Sequence, residues 1–294
     1  MAGQTVGTVA EIWRYPVKSM GGERIPSVFV GEGGLPGDRG WALYDEDAGQ
    51  IRNAKLLPKL LQYRARYTSE PNGNSSPPVA IDAPGGALLT SDDLAHASSA
   101  LTADLGRNLR LSPLKPASDT AHYRRGKPDF EDPKAQAMAM FALEDGDPMP
   151  NAAGMASLPG LAQLREFATP PGTYFDVAPL HLITTSSLAE LARLNPAADA
   201  DSRRFRANIV VSTGAPGFLE LDWCDRTVSI GGLRLDVKAR TLRCAMPTHA
   251  QPGLERAPSV MRTLVRETAQ DFGVYALISA PGEIHEGDEV VLGD

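Results

Sequence analysis

The chain has 294 residues, with 29 Lys and Arg against 36 Asp and Glu and a formal net charge of −7. That length suits one large β-rich domain or two smaller ones, and the acidic balance argues against non-specific binding to nucleic acid or anionic membranes. Two cysteines, Cys224 and Cys244, are too few for a disulfide framework; with no secretory leader or membrane-length apolar run, the expectation is a cytoplasmic protein with neither a nucleic-acid nor a membrane partner.

Short β-branched and aromatic runs punctuated by Gly, Pro and Asp predict strands at Val6 to Trp13, Pro26 to Val30, Trp41 to Tyr44 and Leu60 to Tyr67, a small barrel or sandwich. Glu46 to Gly49 reads as a hairpin turn. A helix is expected from Asp92 to Leu105, capped by Thr90 or Ser91 and stopped by Gly106. Residues from about 112 to 171 lose any lasting period and read as an irregular connection that either closes over a site or is an ordinary surface insertion. Strands resume at Leu180 to Thr184, Asn208 to Ser212, Thr227 to Ile230, Leu233 to Arg240, Val274 to Ser279 and Glu289 to Leu292, with helices at Leu188 to Leu194 and Ser259 to Ala269. The predicted class is mixed and mainly β: an N-terminal lobe over residues 1–125, a connection over 126–170 and a second β-barrel over 171–294, with short peripheral helices and any site between the lobes.

Several chemistries lack their spacing. There is no Walker phosphate loop, and Gly31 to Gly37 lacks the dinucleotide-binding register; H-E-x-x-H and G-x-S-x-G are absent, and two cysteines cannot build a plant-type iron–sulfur site. What remains is local. Cys244 follows Arg243, a cationic neighbour that favours the thiolate that binds metals, although its spacing alone fits a small buried hydrophobe better. Cys224, beside Asp222, reads as structural. Lys18 and Ser19 sit in a loop after Pro16, and Asp38-Arg39 in a turn; each fits either an anion site or ordinary surface chemistry. Ser187 and Glu190 have capping-box spacing, and the same helix start could face a phosphate.

Together these segments resemble one family, the MOSC-domain proteins with an N-terminal MOSC β-barrel, the group that includes the mitochondrial amidoxime reducing component. The resemblance rests on Trp13 to Ser19, Gly37 to Trp41, Phe175 to His181, Ser187 to Leu191, Arg204 to Val211, Arg243-Cys244, Gly273 to Tyr275 and Gly282 to Asp288. It implies a molybdenum cofactor, a pyranopterin whose metal takes a further sulfur from Cys244, with Lys18, Ser19, Arg39, Arg206, Asn208 and the hydroxyls of Ser186 and Ser187 holding the cofactor. The implied activity is an oxidoreductase that reduces N-hydroxylated small molecules (amidoximes, hydroxylamines, N-oxides), with electrons from a separate reductase or ferredoxin-type protein. Two alternatives stay open: a sulfur-transfer protein with a persulfide on Cys244, which would need neither molybdenum nor pyridoxal phosphate, and a cofactor-binding carrier without turnover. Ala207 departs from the family's proline, and Pro247 to Gly253 departs from its loop after the cysteine. The sequence singles out no general acid, and His249, five residues after Cys244, is only a weak candidate.

Overall fold

The computed structural model describes residues 3–73 and 76–293. Its organising strand is Gln4–Arg14. One edge pairs antiparallel with Ile209–Ser212 and the other with Glu289–Leu292. The remaining pairings run through Leu180–Thr184, Asp271–Ala280, Leu233–Leu242 and Thr227–Ile230, so seven strands close into a barrel with no free edge along its wall. One pair is parallel, Leu180–Thr184 with Ile209–Ser212, and helix Thr185–Leu194 makes the crossover. Inward side chains such as Ile12, Leu182, Ile209, Val228, Leu235 and Val290 are buried, each contributing about 1.5–3 kcal/mol of apolar burial. At the bulge near Gly7 a Cβ would lie 2.0 Å from the Ser212 carbonyl oxygen, so only glycine lets the two strands approach there.

This strand was expected with the first lobe. The structure instead uses it to close the second-half barrel, because Ile209–Ser212 and Glu289–Leu292 would otherwise each expose an unpaired edge. Ser27–Val30 likewise pairs with Gly282–His285. The N-terminal lobe begins after it: Trp41–Asp45 between Gln50–Ile51 and Leu109–Pro113, and a meander of Arg64–Tyr67, Val79–Asp82 and Leu88–Thr90, around a second core containing Val17, Met20, Leu60 and Leu101. Leu60 and Leu61 lie in a 3-10 turn, Pro58–Gln62, and not in the expected strand, since the proline at its start favours the turn. The helix is Leu94–Leu105. Its cap is Asp93, whose carboxylate accepts the His96 N–H, while the Ser91 hydroxyl accepts from Val79.

The connection between the lobes is more ordered than its composition suggests, with helices Pro133–Phe141 and Pro159–Gln163. It is tied to the barrel side by Ala245 N–H donating to Met140 O (2.9 Å), by Ser157 Oγ donating to Lys238 O (3.2 Å) and by Arg262, which binds Asp147 and the Ala142 carbonyl. No helix among the described residues is long and apolar enough to cross a membrane.

Candidate functional site

Where Gln4–Arg14 leaves the barrel, Pro16 interrupts its ladder, and the chain crosses to the N-terminal lobe through Val17 and Met20. Backbone bonds from Arg39 N–H to Tyr15 O (2.7 Å) and from Lys18 N–H to Trp41 O (2.8 Å) lay the Gly37–Trp41 turn alongside. The barrel meets the lobe here, and a cavity of about 330 Å³ opens between them. Six of the eight residues singled out above line it: Lys18, Ser19, Arg39, Arg206, Asn208 and Cys244.

The cavity is cationic. Lys18 Nζ donates to Tyr174 O (2.8 Å) and to one Asp176 oxygen (2.6 Å), and Lys55 Nζ donates to the other (2.6 Å). Burial alone would raise the Asp176 carboxyl, but the two ammonium groups outweigh it and hold it well below the usual range. For Lys18 burial wins and lowers the ammonium; for Lys55 burial opposes, yet Asp176 and then Cys244 raise it. Arg39 pairs with Asp38, which also accepts from Tyr15 N–H (2.8 Å) and from Asn208 Nδ2 (3.0 Å). Arg206 lies 4.2 Å over the Tyr15 ring and donates through Nη1 to the Met20 carbonyl, while its Nη2 is buried with no protein partner. Desolvation, with Arg39 adding like-charge repulsion, pulls its guanidinium down to about 10. Arg243 Nε is also buried without a partner. Arg125 is a further cation on the wall.

Three of these residues share an unusual backbone. Ser19 (φ 70°), Arg39 (φ 54°) and Arg206 (φ 56°) are left-handed, a conformation that costs a non-glycine residue roughly 1–2 kcal/mol. Strain of this kind collects where a side chain must point at a ligand. The burial of two guanidinium groups with orphan donors adds to that cost, and both expenses have an account if a multiply charged anion occupies the cavity.

Cys244 follows the barrel strand Leu233–Leu242 and reaches the cavity half-buried. Beside it, Arg243 donates to Phe205 O (2.9 Å) and meets His181 Nε2 at 3.4 Å. His181 is packed so closely that a Cβ on Gly273 (φ 83°) would lie 2.3 Å from its Nε2, so glycine is required. Arg240 faces outward to Asp222, away from Cys244. Cys224 packs against the barrel core, where burial pushes its thiol up, in keeping with a structural role.

Ser186 and Ser187 are not among the cavity's lining residues. Helix Thr185–Leu194 starts earlier than its spacing suggests and is capped by Thr184, whose hydroxyl accepts the Ser187 N–H. Ser187 Oγ and Thr184 Oγ1 both donate to the buried Glu220 carboxylate (2.5 and 2.6 Å), and Ser186 Oγ meets Thr213 Oγ1 at 2.6 Å. Both hydroxyls are thus engaged within the protein. His249 also lies off the cavity lining, its Nε2 buried without a protein partner. Conversely, Lys55 and Asp176 carry more of the site than sequence reasoning assigned them. Asp176 stood inside a quoted segment without a role, and Lys55 has no local signal, because its partner is 121 residues away.

The run Arg203-Arg204-Phe205-Arg206 divides by role. Arg203 pairs with Asp201 near the surface. Arg204 is fully buried and donates to the carbonyls of Asp199, Pro247, His249 and Glu255, pinning the loop that follows Cys244. Arg204→Met should therefore leave several buried carbonyls unpaired and cost about 3 kcal/mol in urea unfolding.

Two buried histidines give the protein a pH signature. His181 is held well below its usual 6.5 by burial and then by Arg243, and His122, hydrogen-bonded to Tyr174 (2.7 Å), is lowered mainly by burial. Their folded pKa values lie below the unfolded ones, so the unfolded chain binds more protons as the pH falls through 6.5. Their contribution is complete above that pH and is lost below it. Stability to urea is expected to fall as the pH drops below about 6.5, by up to about 1.4 kcal/mol per pH unit for each histidine. His122→Gln should flatten the slope.

The MOSC domain family matches residues 169–291, and the MOSC N-terminal beta barrel domain family matches residues 6–106. This chain belongs to the MOSC-domain family. Within that family it is similar to mitochondrial amidoxime-reducing component 1 of Homo sapiens, 26% identical in an alignment covering 98% of this chain and 84% of that protein. It is also similar to molybdenum cofactor sulfurase of Drosophila willistoni, 36% identical over 96 residues, which are 32% of this chain and 12% of the sulfurase. The chain therefore spans a small part of the sulfurase and most of the amidoxime-reducing component. Among solved structures, the YuaD protein from Bacillus subtilis aligns over 100% of both chains at 12% identity with a TM-score of 0.43. The MOSC assignment agrees with the mainly β, two-lobed architecture read from the sequence.

Proposed function

We propose that the cavity holds a molybdenum pyranopterin and that the protein reduces N-hydroxylated compounds, with electrons from a separate donor protein in the cytoplasm. The observation that carries this reading is the meeting, in one cavity, of a single accessible thiol with buried guanidinium groups that have orphan donors. Among the described residues no group of three or more His, Cys, Asp or Glu could hold a bare metal ion. A lone thiolate suits a metal that arrives with ligands of its own, and a soft sulfur suits molybdenum bound through a dithiolene.

The residues present fit such a group. Cys244 would supply the protein sulfur. Arg206 and Arg243 would direct their free N–H groups at the cofactor's anionic part, and Lys18 has donor capacity beyond its two bonds. Ser19 acts indirectly: its hydroxyl accepts the Ala54 N–H (3.0 Å), which places Lys55 on the cavity wall. Asn208 is a positioning residue, since its Oδ1 accepts from His181 N–H (3.2 Å) while its Nδ2 holds Asp38, the partner of Arg39. When bound, the cofactor supplies two-electron oxygen-atom chemistry. In the overall reaction an amidoxime, two electrons and two protons give the amidine and water.

The similarity to molybdenum cofactor sulfurases favours a second reading, in which Cys244 carries a persulfide. Protein purified from a cofactor-competent host decides between them. About one molybdenum per chain, with turnover of an amidoxime by an artificial donor, supports the reductase. Metal-free protein with a sulfane sulfur on Cys244 supports sulfur transfer, and molybdenum without turnover supports a carrier.

A further inference from the structure

The cavity has two walls of opposite character. The barrel and the N-terminal lobe supply the cationic wall and Cys244. The connection between the lobes supplies the other: Met140, Phe141, Ala152, Met155, Leu161 and Leu164. Helix Pro133–Phe141, which carries the first two, has no buried residue at all. Met140 and Phe141 are half-buried, yet neither belongs to any hydrophobic cluster among the described residues. Apolar side chains that line a cavity without packing into a core are available to a ligand. Their position is fixed against the reactive centre, because Met140 O accepts the N–H of Ala245, the residue after Cys244 (2.9 Å), and Arg262 holds the helix end at Ala142 O (2.5 Å).

We infer that this connection is the substrate-selecting wall: Met140 and Phe141 hold the apolar, uncharged body of an aromatic or alkyl N-hydroxylated substrate, while its N–O end turns toward Cys244. The inference rests on the reductase reading above. The single carboxylate on the lining, Asp176, is already shared by Lys18 and Lys55, which leaves nothing to balance a positively charged substrate body. An apolar contact of this size is worth about tenfold or more in affinity.

Benzamidoxime and acetamidoxime share the reacting group and differ in the apolar body, so they isolate the wall. Calorimetry on oxidised holoenzyme without electron donor measures binding in the absence of turnover. Wild-type protein should bind benzamidoxime more tightly than acetamidoxime. Met140→Gln combined with Phe141→Asn should weaken benzamidoxime at least about tenfold, leave acetamidoxime unmoved and keep the wild-type molybdenum content. With a donor present, the loss should fall on KM and not on kcat. Met149→Gln, on an exposed residue outside the lining, should change nothing. Leu161→Gln offers an independent polar change on the same wall should the double variant fold poorly, with a smaller loss in the same direction expected. Molybdenum-loaded wild type that binds both amidoximes equally, or variants that weaken both equally, would overturn the wall and leave the reductase reading intact. Wild type without molybdenum would overturn that reading and the inference with it.

Discussion

Cys244→Ser protein, purified beside wild type from a cofactor-competent host, should lose its molybdenum and reduce no amidoxime while keeping the wild-type unfolding midpoint to within about 1 kcal/mol. The serine hydroxyl is nearly isosteric, and Cys244 is half-buried at a cavity edge, so little packing is lost. The chemical loss is large. Changing residues that only support a metal's ligands costs about 10- to 100-fold, so removing the single protein sulfur should exceed on the order of 100-fold in metal retention. Metal analysis reads the loss directly, and Cys224→Ser is the matched control, because that thiol packs against the barrel core away from the cavity. Wild-type molybdenum content in Cys244→Ser would remove the thiolate from the coordination sphere.

Arg206→Gly should separate binding from folding in the same sense. A buried ion that loses its partner usually costs about 3–5 kcal/mol. Arg206 has no carboxylate within salt-bridge distance among the described residues, has an orphan Nη2, lies near Arg39 and sits at φ 56°. Glycine accepts that φ without strain, which offsets the lost cation–π contact with Tyr15 and the bond to Met20. Cofactor-free protein should therefore unfold within about 1 kcal/mol of wild type, while cofactor occupancy falls steeply, by at least about tenfold. Arg206→Lys keeps the charge but not the fork, and should recover only part of the occupancy. A large fall in stability with normal cofactor content would mark Arg206 as a structural residue.

Most of the strands were legible because their periodicity and punctuation are local: Thr227–Ile230 and Glu289–Leu292 have the bounds expected, and Gly49 (φ 68°) makes the expected hairpin turn. Helix starts were less legible. Asp93 and Thr184 cap where Ser91 and Ser187 fit the spacing equally well: the Ser91 hydroxyl is taken by the Val79 N–H, and the Ser187 N–H is itself the donor that the Thr184 hydroxyl accepts. The short strands Val79–Asp82 and Gly282–His285 could not be read at all, since each owes its conformation to a partner across the fold.

For the site, the sequence by itself determined the chemistry on offer: one thiol beside an arginine, lysine and arginine in two early turns, and an arginine-rich segment before a barrel strand. Only the tertiary structure decided which of these groups meet. Barrel closure by Gln4–Arg14 carries Lys18, Ser19 and Arg39 to Arg206, Asn208 and Cys244, from 167 to 226 residues further along the chain. It also removed Ser186 and Ser187 from the lining, added Lys55 and Asp176, and turned an irregular connection into an apolar wall. Charge pairing and cavity lining are long-range properties, set by how the barrel closes on the lobe, and no window of sequence contains both partners.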